Sequence, residues 1–69
     1  MIGYTPKYPE ITVQLVGEDG NAFSILGRVT RALRRGGATI DDINEFQREA
    51  TSGDYDNLLR TVCKYVDAS

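Results

Sequence analysis

The sequence predicts a small, mainly helical α+β fold: an extended N-terminal arm and one strand, then three short helices and a C-terminal segment that could form another strand. Two patterns support this prediction. Apolar residues alternate with polar ones at Ile11, Val13 and Leu15, as in a half-buried strand. Three later stretches repeat apolar residues every three or four positions, as amphipathic helices do. A chain of 69 residues holds one core at most, so we expect a single domain over residues 10–69 after an arm over residues 1–9.

The arm and the strand differ in their prolines and β-branched residues. Both prolines of the chain lie in the arm, where each biases the preceding residue toward extended backbone. The strand should run from Glu10 to Val16, with Thr12 and Gln14 on its polar face, because β-branched residues are frequent there. The glycine-rich turn GEDG at residues 17–20 should end it.

The first helix should begin after Asn21, whose side-chain oxygen can accept a hydrogen bond from a free amide of the first turn. It should run from Ala22 to about Arg35 and end at the two glycines of residues 36–37, which permit left-handed backbone. Inside this helix, Gly27 is either tolerated or lets another helix or a ligand approach closely. The predicted core-facing residues are Ala22, Phe23, Leu26, Val29 and Leu33.

The second helix should begin after Thr39, because Thr39 and Asp42 resemble a capping box with aspartate in the position usually held by glutamate. It should extend from Ile40 to about Thr51. The predicted core-facing residues are Ile40, Ile43, Phe46 and Ala50.

The third helix should be capped by Asp54, but its end is ambiguous. The segment Thr61–Asp67 is rich in β-branched and aromatic residues and would also pass as a strand that pairs with the first one. For Tyr55 and Tyr65 we expect packing in the core. Helical spacing relates Tyr55, Leu58, Leu59, Val62 and Val66.

The chemistry that this chain lacks is informative. It has no histidine, and Cys63 is its only cysteine, so an intramolecular disulfide is impossible and a zinc site is not expected. The usual general base is also missing. We therefore predict a non-enzymatic protein without cofactor or metal, with Cys63 as a small buried residue. The enzymatic alternative uses Glu18 and Asp19 with a divalent cation.

The length and the N-terminus indicate where and in what state the protein works. Small domains compensate for a small core by disulfides, metals or self-association, and only self-association remains here, so we expect a homo-oligomer. No stretch approaches about 18 apolar residues, and the N-terminus has neither the basic nor the apolar region of a signal peptide. We therefore expect a cytoplasmic protein with no membrane partner.

The net charge of -2 averages a basic first helix against an acidic second one. Helical spacing places Ser24, Arg28, Arg31 and Arg35 on one stripe. Arginine is suited to bidentate binding of phosphate or carboxylate, although the stripe would also fit a solvated face or pairing with the acidic helix.

The turn before the first helix and the acidic segment after it suggest two further features. Helix N-terminal amides bind anions, but this turn lacks the lysine of a phosphate loop and its own carboxylates repel phosphate, so a plain turn is the alternative.

We do not expect binding to duplex nucleic acid, because the pI is near 4.9. The acidic face of the second helix comprises Asp41, Asp42, Glu45 and Glu49.

Two segments carry a resemblance: VQLVGEDGNAFSILGRVTRALRRGG and FQREATSGDYDNLLRTVCKYVD, which together span about four-fifths of the chain. They resemble a family of small uncharacterised proteins carried by bacteriophages, plasmids and other bacterial mobile elements. This resemblance implies a stoichiometric role, in which the protein occludes a host protein or sequesters a small signalling molecule.

Two functions are therefore open. The first is a phage-like binding protein that counters host defence by sequestering an anionic small molecule, such as a cyclic nucleotide. The alternative is an inhibitor that binds a host defence protein through the acidic face. In the first case the ligand-binding residues would be Gly20, Asn21, Ser24, Arg28, Arg31, Arg35 and Tyr55, with Tyr55 stacking on the ligand.

Overall fold

The computed structural model describes residues 5–15 and 20–68 and confirms a mainly helical α+β fold. Among these residues, no helix is long and apolar enough to cross a membrane. The elements in chain order are strand β1 (Tyr8–Val13), helices α1 (Ala22–Arg35), α2 (Ile40–Ala50) and α3 (Tyr55–Tyr65), and strand β2 (Val66–Ala68).

The strands β1 and β2 form a two-stranded parallel sheet. The partners are Tyr8 with Val66, Thr12 with Asp67 and Val13 with Ala68, with an irregular register between the first two pairs. Pairing with β2 brings the last residues of the predicted arm into the sheet, so β1 begins two residues before the predicted start. It ends at Val13, and the predicted end at Val16 lies outside the described residues.

The ambiguous C-terminal segment is helical first and extended afterwards. Helix α3 continues to Tyr65, and Val66 then takes extended backbone angles of φ -136° and ψ 165°. This change of backbone conformation brings Val66 beside β1, where only 1% of its surface is exposed. Each sequence pattern therefore describes part of the segment.

All three predicted helix caps are present. The side chain of Asn21 accepts a hydrogen bond from the Phe23 amide at 2.8 Å. Thr39 Oγ1 accepts from the Asp42 amide at 3.1 Å, and the Asp54 carboxylate accepts from the following turn in the same way. Because these local contacts need no tertiary partner, the three helix starts are confirmed. Helix α2 ends at Ala50, one residue before the predicted end.

The core lies where the three helices meet the inner face of the sheet. Its centre is Phe46, which is fully buried and packs edge-to-face against Tyr65 with ring centroids 5.4 Å apart. Tyr65 is thus a core residue, as predicted. The other buried apolar residues are Ile11, Val13, Ile25, Val29, Leu33, Ile43, Ala50, Leu58, Val62 and Val66.

Four predicted core residues are exposed instead, and three of them are large. Phe23 is 82% exposed, Ile40 66% and Tyr55 45%. In α1 the cause is rotation of the helix: Ile25, Val29 and Leu33, which are four residues apart, face the core, and Phe23 lies on another side. Ile40 and Tyr55 are the first residues of α2 and α3. Ala22, which opens α1, is exposed as well.

Two threonines are buried although no apolar pattern indicates them. Thr30 accepts a hydrogen bond from the Gln47 side chain at 3.2 Å, and the Thr61 hydroxyl donates to the Asn57 carbonyl at 2.8 Å. These hydrogen bonds give each buried hydroxyl group a partner, so its burial leaves no unpaired polar group.

The two glycines after α1 serve different purposes. Gly37 has a left-handed φ of 90°, as predicted for a helix end. Gly36 has φ -81°, so the prediction of left-handed backbone is wrong there. A Cβ atom at position 36 would lie 2.7 Å from Ile11 Cγ1 and closer still to Cδ1. Glycine at position 36 therefore leaves room for the Ile11 side chain where β1 approaches the end of α1.

Candidate functional site

An open groove of about 290 Å³ runs between β1 and α1. We call it the arginine groove, because three of its lining residues are arginines. One wall is formed by Thr12, Val13 and Gln14, and the other by Arg28, Arg31, Ala32 and Arg35.

The local sequence explains how the groove is built. Ile11 and Val13 point into the core, so alternation along the strand places Thr12 on the exposed side. On α1, the core-facing residues hold the helix against the sheet. The spacing of three and four residues between Arg28, Arg31 and Arg35 keeps these side chains on one side of α1.

The charged side chains of the described groove lining are all cationic. Arg31 and Arg35 are exposed, and Arg28 is half-buried. Each guanidinium presents several N–H donors in a planar fork that matches a phosphate or carboxylate. Arg35 also lies in the last turn of α1, where the helix dipole favours a cation. The groove is thus suited to an anionic group.

The structure divides the predicted ligand site. Arg28, Arg31 and Arg35 share the arginine groove, whereas Ser24 lies one turn before Arg28 and is half-buried. The Asn21 side-chain oxygen serves as the α1 cap.

Tyr55 and Gly20 belong to a different part of the surface. The Tyr55 hydroxyl donates to the Gly20 carbonyl at 2.6 Å. The Tyr55 ring lines a second, largely apolar hollow of about 280 Å³, which also involves Phe23 and Leu26. Tyr55 therefore does not share the arginine groove, and stacking there is not available to it. The residues lining this hollow are Ala22, Phe23, Leu26, Ala50, Thr51, Gly53, Asp54, Tyr55 and Leu58.

Thr12 and Gln14 were not predicted as site residues. Their position on the polar face of the strand was evident from alternation, but nothing in the sequence indicated that this face borders the arginines of α1. That juxtaposition depends on how α1 packs across β1.

The predicted acidic face is partly neutralised by cations of the same chain. Lys7 Nζ lies 2.9 Å from Asp42 Oδ1, and the Tyr8 hydroxyl donates to Asp42 Oδ2. Lys64 Nζ lies 2.6 Å from Glu49 Oε2. Asp41 and Glu45, the two other predicted members, are exposed.

The cluster of Lys7, Tyr8 and Asp42 shifts the titration of all three groups. The hydrogen bond from Tyr8, and then that from Lys7, lowers the pKa of Asp42 below its ordinary value. The same hydrogen bonds raise the pKa of Tyr8 and of Lys7. These contacts tie the start of β1 to the first turn of α2.

Three further expectations concern metal, catalysis and the thiol. Within residues 5–15 and 20–68 there is no cluster of three or more side chains that could hold a metal ion. Glu18 and Asp19, on which the enzymatic alternative depends, lie outside those ranges. Cys63 is exposed, so the prediction of a buried thiol is wrong: α3 directs the neighbouring Val62 into the core instead.

No protein-family model, curated protein or solved structure matches the chain.

Proposed function

We propose that this protein is a non-enzymatic binding protein of the mobile-element type, which sequesters an anionic small molecule such as a cyclic nucleotide signal and so counters host defence. The observation that carries the proposal is the arginine groove, where Arg28, Arg31 and Arg35 line one cavity. The resemblance of the GEDGNAF and EATSGDYD segments to mobile-element proteins supports the biological setting.

The dimensions of the groove favour one nucleotide unit. Ligand sites commonly have volumes of about 300–1,000 Å³, and the volume of this groove, about 290 Å³, lies just below that range. A phosphate would lie against the guanidinium groups of Arg31 and Arg35. The Thr12 and Gln14 side chains on the opposite wall offer polar contacts to a ribose or base. The remainder of a cyclic di- or trinucleotide would extend along the open groove.

The residue types favour binding over turnover. Guanidinium groups stay protonated in proteins, so the three arginines attract negative charge but do not act as general bases. Sequestration needs only this attraction and a protein concentration comparable with that of the signal. A chain of 69 residues reaches such a concentration with little protein synthesis.

The acidic-face alternative has weaker support. An imitation of nucleic acid charge needs a continuous surplus of carboxylates, and Lys7 and Lys64 each pair with one of the four. The arginine groove gathers three side chains of like charge into one concave surface, which the described acidic residues do not form.

Isothermal titration calorimetry with cyclic di- and trinucleotides tests the proposal. We expect Arg35→Glu to weaken binding by about 10-fold or more, because a hydrogen bond to a charged group contributes about 1.5–3 kcal/mol. Arg60→Glu is the matched control, since Arg60 is exposed on α3 and outside the groove lining while the change in charge is identical.

Two results would overturn the proposal. One is the absence of binding heat with every cyclic nucleotide. The other is an equal loss of affinity in Arg35→Glu and Arg60→Glu, which would show that only the overall charge of the protein matters.

A further inference from the structure

The side of α1 that bears Phe23 presents an exposed aromatic ring beside one apolar and one mixed hollow. The Phe23 ring, 82% exposed, lies between two hollows. The first is the apolar hollow with Leu26 and Tyr55, of about 280 Å³. The second, of about 300 Å³, is lined by Phe23, Leu26, Gly27, Thr30, Arg31, Arg34 and Gln47. We call the surface formed by Phe23, the two hollows and Gly27 the Phe23 face.

On this surface the Phe23 ring projects beside two hollows, each large enough to hold a phenyl ring. When two identical copies of such a surface meet about a two-fold axis, each ring enters a hollow of the other copy, and the contact is repeated twice. A protein of unrelated shape would need a cavity for Phe23 and a projection for the hollows at the same time.

Gly27 lies in the middle of the Phe23 face. A Cβ atom built there meets nothing within 4 Å, so the core of the protein does not require glycine at this position. Glycine inside a helix nevertheless costs about 1 kcal/mol relative to alanine. Close approach of a second helix backbone supplies the missing reason, because an absent side chain permits that approach.

The charges at the two ends of the Phe23 face are complementary to each other. Arg34 borders the hollow on the C-terminal side of Phe23, and Asp54 borders the hollow on the N-terminal side. If two α1 helices cross antiparallel at Gly27, Arg34 lies about 10 Å from the crossing point, just beyond Ala22 at the start of α1 in the second copy, and Ala22 lines the same hollow as Asp54. Tyr55, which follows Asp54, is hydrogen-bonded to Gly20. The basic end of each copy therefore meets the acidic end of the other.

We propose that the Phe23 face is the interface of a two-fold homodimer, in which the α1 helices of two copies cross antiparallel at Gly27 and each Phe23 ring occupies a hollow of the other copy. Arg28 and Arg35 lie outside the hollows of this face, whereas Arg31 lines both the arginine groove and the second hollow, so each of the two grooves of the dimer borders the interface.

Sedimentation equilibrium at protein concentrations up to about 1 mM tests the dimer, whose mass is twice that of the 7.6 kDa chain. We expect Phe23→Glu to raise the dimer dissociation constant by about 30-fold or more, the effect of losing a central aromatic anchor. Ile40→Glu is the matched control, because Ile40 is a large exposed apolar residue outside the Phe23 face. Circular dichroism verifies that both variants fold.

A crosslink tests the crossing point. In a Cys63→Ser background, Gly27→Cys should form a disulfide-linked dimer on mild oxidation, because the two Cα atoms must lie within about 7 Å to be bridged. Arg48→Cys in the same background, at an exposed position on α2, should crosslink much more slowly. A wild-type monomer at the highest concentration, a dimer insensitive to Phe23→Glu, or equal crosslinking of both cysteine variants would each overturn the proposal.

Discussion

Substitution of Gly36 by alanine measures how tightly β1 packs on the end of α1. The new Cβ atom would lie 2.7 Å from Ile11 Cγ1 and 3.2 Å from the Ala32 carbonyl oxygen. Carbon atoms in ordinary contact are about 3.5–4.0 Å apart, so the Ile11 side chain must move by about 1 Å. Ile11 is only 7% exposed and has little room to do so.

The magnitude follows from two opposing contributions. Overpacking of a core costs about 1–3 kcal/mol, whereas replacement of glycine by alanine at a compatible φ stabilises by about 0.4–1 kcal/mol through the unfolded state. The φ of -81° at Gly36 is compatible. We therefore expect Gly36→Ala to lower the free energy of unfolding by about 0.5–2 kcal/mol, which corresponds to a fall in Tm of roughly 4–15 °C for a domain of this size.

The assay is urea unfolding followed by circular dichroism, with Gly27→Ala as the matched control. Because a Cβ atom at Gly27 meets nothing within 4 Å, the same substitution should stabilise the monomer by about 1 kcal/mol there. Both variants are compared in a Phe23→Glu background, so that self-association does not contribute. Ile11→Val removes the nearest atom and should reduce the cost of Gly36→Ala. Equal or greater stability of Gly36→Ala than of the parent would refute the close approach.

Two further predictions concern the β1–α2 cluster and the thiol. Because the pKa of Asp42 is lowered from 3.8, its stabilising contribution is complete above that value and is lost as the pH falls through the folded-state pKa. Tyr8 and Lys7 have raised pKa values, so their contribution is complete below the ordinary values of 10.0 and 10.5 and is lost as the pH rises through the higher folded-state pKa values. The difference in Tm between wild type and Asp42→Asn should therefore be largest at pH values where Asp42 is ionised and Lys7 and Tyr8 are protonated, and it should shrink in acid. A difference that stays constant with pH would contradict the pairing of Asp42 with Lys7 and Tyr8. Exposed Cys63 should react with Ellman's reagent in the native protein as fast as in urea, and protection by folding would show that it is buried.

Several features were predictable because they depend only on neighbouring residues. Asn21, Thr39 and Asp54 cap the three helices as their side chains and positions predict. The strand alternation and the stripe of arginines follow from the backbone periods of 2 and 3.6 residues. The helical part of the fold and the residue types of the groove could therefore be read before any tertiary contact was known.

Other features could not be read from local patterns. Phe23 and Ile25 both fit an apolar stripe on α1, and the choice between them depends on how the helix is rotated against β1 and α2. The same packing separates Tyr55 from the arginines and brings Thr12 and Gln14 beside them.

Local sequence patterns specify where the helices begin, and the composition alone shows which residues carry positive charge and that no histidine is present for acid–base work. The tertiary structure alone decided which apolar residues are buried, that residues 66–68 pair with β1, and that the predicted ligand residues lie on two different surfaces. The physical reason is the range of the interactions: caps and periodicity act within one or two helical turns, whereas burial and groove formation require residues far apart in the chain to meet.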